Sequence, residues 1–444
     1  MEQLWKICQS NRRGQRSGVY SVCSANRFVL EAAVFQASRD ESLLLIESTS
    51  NQVNQFGGYT GQTPVDFAKF VRIIAEKARF PFKRVVLGGD HLGPQVWRNR
   101  TAAAAMEKAC EMVDEYVRAG FTKIHLDASM PCADDKADRH KPQADEVVSG
   151  RSAQLCEAAE KAFRSLPRGA VPPVYVIGTE VPAPGGEHLD SAAPKVTRTR
   201  DLANTLEEAK KAFRARGLHS AWERVIGVVV QPGVEFGDTS VCAYDPRKGR
   251  RLARFIEDHW TGVYEAHSTD YQLPEALRSM VADHFAILKV GPALTFAFRE
   301  AVFALEAIER EWLSGRNGLD RSCVRDVLEK VMLEKPVYWK NYYRGDEPTL
   351  RLARQYSYSD RSRYYWPHPE VAAAFERLVH NLTTHAVPIS LLSQYLPRQS
   401  EAVREGKLRN EPMQLIRHRI LETIDPYAFA CGLCAAQRRR GAGA

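Results

Sequence analysis

The chain has 444 residues, 44% of them hydrophobic and 26% charged, which is typical of a soluble globular protein of one large domain or two ordinary ones. The formal charge of +8 is mild for this length, and without a zinc-finger, RNP or basic-zipper pattern we expect no nucleic-acid binding. No apolar stretch reaches membrane-spanning length or forms a secretory signal, and nine scattered cysteines suit a reducing cytoplasm.

Short runs rich in β-branched residues recur along the first three hundred residues. Several are almost continuously apolar, which is typical of parallel strands buried on both faces. The predicted strands cover residues 18–25, 42–49, 84–91, 123–129, 173–180, 224–233, 262–268 and 285–292.

Most of these strands are separated by stretches with apolar residues three or four positions apart, which predict amphipathic helices. Gly120 and Gly217 stand where two of the helices should end. Eight strand–helix units predict an α/β fold, a (β/α)₈ TIM barrel. A doubly wound sheet is the alternative, which the lack of a G-x-G-x-x-G turn after the first strand disfavours.

The pattern changes after about residue 312. Polar and aromatic segments rich in Tyr, Trp and Arg come first, and helical runs follow them. We therefore predict a barrel over residues 1–312 and a mainly helical C-terminal extension, residues 313–444, packed on it. The aromatic segments would cover a pocket, dock a partner or simply pack on the surface.

The predicted strands end in polar residues, which a barrel brings together at one face, where active sites lie. His91 and His267, with Glu180, predict a site for a divalent metal, zinc or manganese. Asp90 and Asp127 are candidate catalytic acid/base or ligand-orienting groups, with helix capping as the alternative for both.

Four further residues are candidates for substrate binding. Asn51 lies in a segment dense in Asn and Gln, whose amides suit hydroxyl-rich ligands such as sugars. Gln231 ends the sixth predicted strand. Ser268 and Lys289 lie at the ends of the seventh and eighth strands, where barrels often bind phosphate.

Six strand-end motifs resemble the accessory Z-type subunit family of class II D-tagatose-1,6-bisphosphate aldolase. The similarity runs from about residue 17 to beyond residue 430. The motifs are VYSVCSAN, LLIESTSNQVNQFGGYTG, LGGDHLGP, KIHLDASM, GTEVPAPGGE and YEAHSTDYQLP.

The barrel is more distantly similar to the catalytic class II aldolases, which are zinc enzymes that cleave a ketose bisphosphate. That resemblance implies that Asp90 is the acid/base, and that His91 and His267 are zinc ligands. Where those enzymes have another zinc-binding His on the sixth strand, this chain has Gln231. The implied set of three histidines is therefore incomplete.

Two functions follow from the resemblance. One is an oligomeric partner that supports a catalytic class II aldolase subunit in galactitol and N-acetylgalactosamine breakdown. The other is a metal-dependent 4-epimerase of fructose and tagatose, or of their phosphates, acting by retro-aldol cleavage and re-addition. ATP-dependent phosphoryl transfer has little support, because neither a P-loop nor a kinase signature is present.

Overall fold

The computed structural model describes residues 2–136, 143–179, 194–316 and 318–434. Its main sheet is a closed parallel barrel, which confirms the predicted (β/α)₈ fold over the doubly wound alternative. The strands are β1 (Val19–Cys23), β2 (Leu44–Thr49), β3 (Val85–Leu92), β4 (Lys123–Leu126), β5 (Val174–Ile177), β6 (Val225–Val229), β7 (Glu235–Phe236), β8 (Val241–Cys242), β9 (Val263–Ala266) and β10 (Ile287–Val290). Strands β7 and β8 form a separate antiparallel hairpin, and β1 closes the barrel by pairing with both β2 and β10.

Helices follow most barrel strands and form the outer layer. They are α1 (Glu2–Arg12), α2 (Arg27–Arg39), α3 (Pro64–Lys77), α4 (Ala102–Arg118), α5 (Asp145–Arg164), α6 (Thr199–Ala215), α7 (His219–Trp222), α8 (Pro246–His259), α9 (Pro274–Ala282), α10 (Pro292–Leu313), α11 (Val324–Glu334), α12 (Glu347–Tyr356), α13 (Pro369–Thr384), α14 (Ile389–Tyr395), α15 (Pro397–Arg404) and α16 (Pro412–Ala430). Short 3-10 turns cover Gly58–Thr60, Phe82–Arg84, Pro94–Trp97, Pro336–Tyr338 and Arg361–Tyr364.

Local sequence explains where several helices begin and end. Asn26 and Thr101 accept hydrogen bonds from the first backbone N–H groups of α2 and α4. Gly120 and Gly217 adopt φ of 91° and 70° just beyond α4 and α6, a conformation that glycine reaches without steric cost. The predicted helix ends at these two glycines are confirmed.

The barrel interior is layered along its axis. At the amino-terminal end, Leu4 and Cys8 of α1 pack with strand residues such as Val19, Leu45 and Ile287 in an apolar cluster. The next inward-facing position of each strand lies two residues further on, because strand side chains alternate between faces. On β1, β2, β9 and β10 these positions carry Ser21, Glu47, Glu265 and Lys289, so the polar site lies directly above the apolar cluster.

The chain after α10 is largely helical. Helix α16 packs against α2, α9 and α10, and the hydroxyl of Tyr427 donates a 2.6 Å hydrogen bond to the carbonyl of Thr269. The hydroxyl of Tyr271 donates a 2.6 Å hydrogen bond to the carbonyl of Tyr358. These contacts bring the C-terminal segments to the barrel mouth, while the division at residue 312 stays a prediction. No described helix combines the length and apolarity needed to cross a bilayer.

Candidate metal centre at the barrel mouth

A layer of buried ion pairs lies directly beneath the mouth. The Nζ atom of Lys123 is 2.8 and 2.9 Å from the two carboxylate oxygens of Glu47, and 2.5 Å from Oε2 of Glu265. Lys289 Nζ lies 2.8 Å from Glu47 Oε2, and Ser21 donates a 2.7 Å hydrogen bond to Glu47 Oε1. Lys123, Glu47 and Glu265 are fully buried, so this network is closed to solvent.

Three imidazoles meet above this layer. The ring centroids of His91, His125 and His267 lie 5.2, 4.9 and 5.1 Å from one another, and all three residues are buried. Ligand atoms of Asp90, His125, Glu265 and His267 all fall within 4.8 Å of each other. Four donor groups of the kind that bind transition metals are therefore concentrated at one point.

Asp90 links the imidazoles to the ion pairs. Its Oδ1 atom is 2.7 Å from Lys289 Nζ and 3.0 Å from His125 Nδ1, and its Oδ2 atom is 3.8 Å from His91 Nε2. Burial alone would raise the pKa of Asp90, but His91 and Lys289 outweigh it and hold the pKa well below the usual value. Asp90 is therefore ionised at neutral pH.

His91 is oriented from behind by Asp127. The His91 Nδ1 atom lies 2.7 Å from Asp127 Oδ2, and Asp127 Oδ1 accepts hydrogen bonds from the backbone and hydroxyl of Ser129. Burial favours a lower pKa for His91, but Asp90 and Asp127 more than compensate and raise it. A carboxylate behind an imidazole fixes its orientation and makes it a better metal ligand.

The pKa of His267 shifts in the opposite direction from that of His91. Burial lowers the pKa of His267 to about 3, even though its Nε2 atom lies 3.0 Å from Glu265 Oε1. This imidazole is therefore neutral at neutral pH, the form in which histidine binds metals. Both His91 and Ser268, which follows His267, have positive φ, of 49° and 53°. The backbone thus turns sharply at the ends of β3 and β9.

The residues fit a divalent cation on two grounds. The Nε2 atom of His125 is buried and has no hydrogen-bond partner among the described residues, so this nitrogen is available to bind a metal ion. In addition, four buried carboxylates face only two ammonium groups, those of Lys123 and Lys289. Even with His91 counted as a cation, the carboxylates outnumber the positive groups, and the excess negative charge favours a bound cation.

The predicted substrate residues are distributed unevenly. Asn51, Ser268 and Lys289 line a cavity of about 80 Å³ together with Asp90, His91 and His267. The side chain of Gln231 instead accepts hydrogen bonds from Gly233 and Val234, the next residues of its own turn. Asp127 lies behind His91 rather than in the cavity lining. Glu180 lies outside the described residues.

Sequence reasoning missed His125, Lys123 and Glu265. A signal was available, since Lys123 and His125 alternate along β4 and therefore share one face, and Asp127 follows directly after the strand. His125 supplies a third imidazole from β4, in a chain that has Gln231 after β6.

Comparisons with known proteins place the chain in a family. A probable tagatose 6 phosphate kinase from Sinorhizobium meliloti 1021, of known structure, is 43% identical with a TM-score of 0.83, over 93% of this chain and all of that one. The fructose-bisphosphate aldolase of Campylobacter jejuni is 14% identical over 86% of this chain and 91% of its own, with a TM-score of 0.46. The YdjI aldolase of Escherichia coli K12 is 13% identical over 86% and 97%, with a TM-score of 0.41.

The two aldolases are too dissimilar to inform the chemistry of this chain. The sequence profile of one family, in contrast, matches residues 4–432, nearly the whole chain. The protein therefore belongs to the D-tagatose-1,6-bisphosphate aldolase subunit GatZ/KbaZ-like family.

Proposed function

We propose that this aldolase subunit has a divalent-metal site of its own and binds a ketose or ketose phosphate beside it. In this proposal the chain supports a catalytic class II aldolase subunit in galactitol, N-acetylgalactosamine and tagatose breakdown. The observation that carries the proposal is the buried cluster of three imidazoles around Asp90, with an unpartnered Nε2 atom on His125.

His91, His125 and His267 would hold the metal, with Asp90 beside them. Imidazole and carboxylate donors favour zinc, and manganese is the alternative. When bound, such an ion supplies positive charge that polarises a carbonyl oxygen. Asp127 positions the His91 ring, and the ion pairs of Lys123 beneath the cluster keep Glu265 in place.

Asp90 is the group best placed to move a proton. It is ionised and lies in the cavity wall with Ser268 and Asn51, whose polar groups suit sugar hydroxyls. A carboxylate in this position accepts the proton of a hydroxyl while the neighbouring carbon–carbon bond breaks, and returns it when the bond re-forms. Lys289, 2.7 Å away, stabilises the ionised form.

One observation favours the second candidate, a stand-alone ketose 4-epimerase. The imidazoles of His91 and His267 line one cavity with Asp90 within a single chain, so these groups do not depend on a partner. Retro-aldol cleavage followed by re-addition to the opposite face of the same carbonyl would invert C4 and consume nothing.

Metal binding is tested first, on the purified full chain loaded with Zn²⁺ or Mn²⁺ and measured by elemental analysis and calorimetry. We expect His125→Ala and His267→Ala to lose the ion, and Asp127→Asn to weaken binding by about 10- to 100-fold. His380→Ala, at an exposed position far along the chain, is the matched control. Full retention of metal by His125→Ala would contradict the proposal.

Turnover then separates the two candidates. The metal-loaded chain is incubated with D-tagatose 1,6-bisphosphate, D-tagatose or D-fructose, and the sugars are followed by NMR. Interconversion of fructose and tagatose that disappears in Asp90→Asn would support the epimerase. Stimulation of bisphosphate cleavage only after a catalytic aldolase subunit is added would support the accessory role.

A further inference from the structure

The cavity at the metal centre continues beneath the C-terminal segment. A second cavity, lined by Thr295 and Trp366 among others, adjoins the first. The two share five lining residues, so they are parts of one space between the barrel and the extension. The shared residues are Cys23, Gln52, Tyr59, Gly291 and Arg363.

The positions at which a barrel usually binds an anion are already occupied by the protein's own carboxylates. The N–H groups of Gly291 and Ala293, at the start of α10, donate to Asp270 Oδ1 at 3.0 and 2.8 Å. Lys289 contacts three carboxylates. An anionic ligand must therefore be bound by another positive group.

Arg363 is such a group. Its guanidinium is held by the carbonyl oxygens of Ser359 and Asp360 and by the hydroxyl of Tyr364. Within the described ranges no carboxylate lies within ion-pair distance of it, and it lines both parts of the cavity. The positive charge of Arg363 is therefore fixed in place but not neutralised by a direct partner.

Trp366 provides a second, independent sign of a missing ligand. Its side chain lines the second cavity together with Arg363, and the residue is only 8% exposed. The indole Nε1–H group finds no hydrogen-bond acceptor in the described part of the chain. Buried donors without an acceptor are rare in folded proteins, and an indole nitrogen can only donate.

We propose that Arg363 and Trp366 bind a terminal oxyanion of the sugar, a phosphate ester or a carboxylate, and so make the site selective for acidic over neutral sugars. The inference rests on the proposed function, because the metal centre would hold the other end of the same ligand. Guanidinium groups match both oxyanions by paired hydrogen bonds. Specificity is then set by the C-terminal extension rather than by the end of the last barrel strand.

The experiment measures binding to the zinc-loaded full chain by calorimetry. The probes are D-tagatose, D-tagatose 6-phosphate and D-tagaturonate, three ketoses that differ only in the group at C6. We expect at least one acidic probe to bind about 10- to 100-fold more tightly than D-tagatose. Preference for the phosphate identifies a phosphorylated ligand, and preference for D-tagaturonate identifies a sugar acid.

Variants then test whether Arg363 and Trp366 cause the preference for acidic probes. Arg363→Met should abolish it, Arg363→Lys should retain part of it, and Trp366→Phe should weaken it while keeping the ring. Arg351→Met removes the same charge from an exposed position and should leave the preference unchanged. If Arg363→Met does not fold, Arg363→Lys and Trp366→Phe decide the outcome.

Two results would overturn the inference: equal affinity for acidic and neutral probes, or a preference that survives Arg363→Met or is undiminished in both Arg363→Lys and Trp366→Phe. Metal content and affinity for D-tagatose, measured on the same samples, report on the proposed function separately. If both are intact while no acidic preference exists, only the anion assignment fails. If metal and D-tagatose binding are absent, the proposed function fails.

Discussion

Lys123 is the central cation of the buried ion-pair layer, and Lys123→Met should destabilise the protein strongly. The side chain is fully buried and lies within 2.9 Å of both oxygens of Glu47 and within 2.5 Å of Glu265. Methionine fills a similar volume, so the change removes charge and creates little cavity. Two buried carboxylates, those of Glu47 and Glu265, then lose a directly paired counter-charge.

The magnitude follows from what remains. Removing one partner of a buried ion pair costs about 3–5 kcal/mol, because the other charge stays buried and unpaired. Lys289 still lies 2.8 Å from Glu47 and 3.6 Å from Glu265, so it compensates part of the loss. We therefore expect the lower end of the range, about 3 kcal/mol. Glu47→Gln added to Lys123→Met should recover part of it.

The assay is urea denaturation at pH 7, followed by both fluorescence and far-ultraviolet circular dichroism to test for a single transition. Lys330→Met is the matched control, because Lys330 makes a 2.9 Å ion pair with Glu370 at the exposed surface. Exposed pairs contribute about 0–1 kcal/mol. Equal destabilisation by the two lysine substitutions would refute the view that burial makes this network energetically important.

Two further predictions concern the same end of the barrel. Gly88→Ala would place a Cβ atom 2.6 Å from Glu47 Cγ, so we expect lower stability in urea denaturation and weaker metal binding in calorimetry. Gly150→Ala is the control, because open space surrounds that position, and it should be neutral or slightly stabilising. Burial raises the pKa of Asp270 to about 6, so the folded state binds this proton more tightly than the unfolded chain does. The stability that it contributes is present below about pH 4 and lost as the pH rises through 6. Asp270→Asn should therefore gain about 2–3 kcal/mol relative to the wild type between pH 4 and pH 7, and a difference that is constant with pH would rule this out.

The barrel could be predicted from sequence because its signals are local. Buried parallel strands require apolar β-branched runs, and Gly120 and Gly217 mark helix ends by a backbone conformation that other residues rarely adopt. The polar strand ends also predicted a polar site at one face, where Asp90, His91 and His267 do lie together. The Arg363 cavity has no such signal, since only the packing of the C-terminal extension brings Arg363 to the barrel mouth.

Lys123, His125 and Glu265 could not be found from the strand ends alone. Their place in the site depends on which residues of each strand point into the barrel. Because side chains alternate along a strand, the inward face of β4 carries Lys123 and His125, and that of β9 carries Val263 and Glu265. Taking every second residue back from the polar end of each strand would have found His125. Its role also requires that β3 and β9 bring the rings of His91 and His267 to within about 5 Å of the His125 ring. The sixth strand has no histidine, which by sequence alone indicated an incomplete set of three. The imidazole of His125 on β4 brings the number of clustered imidazoles back to three. Sequence comparison at matched positions reports only that the sixth strand has no histidine, whereas the folded barrel places a candidate ligand, His125, on another strand.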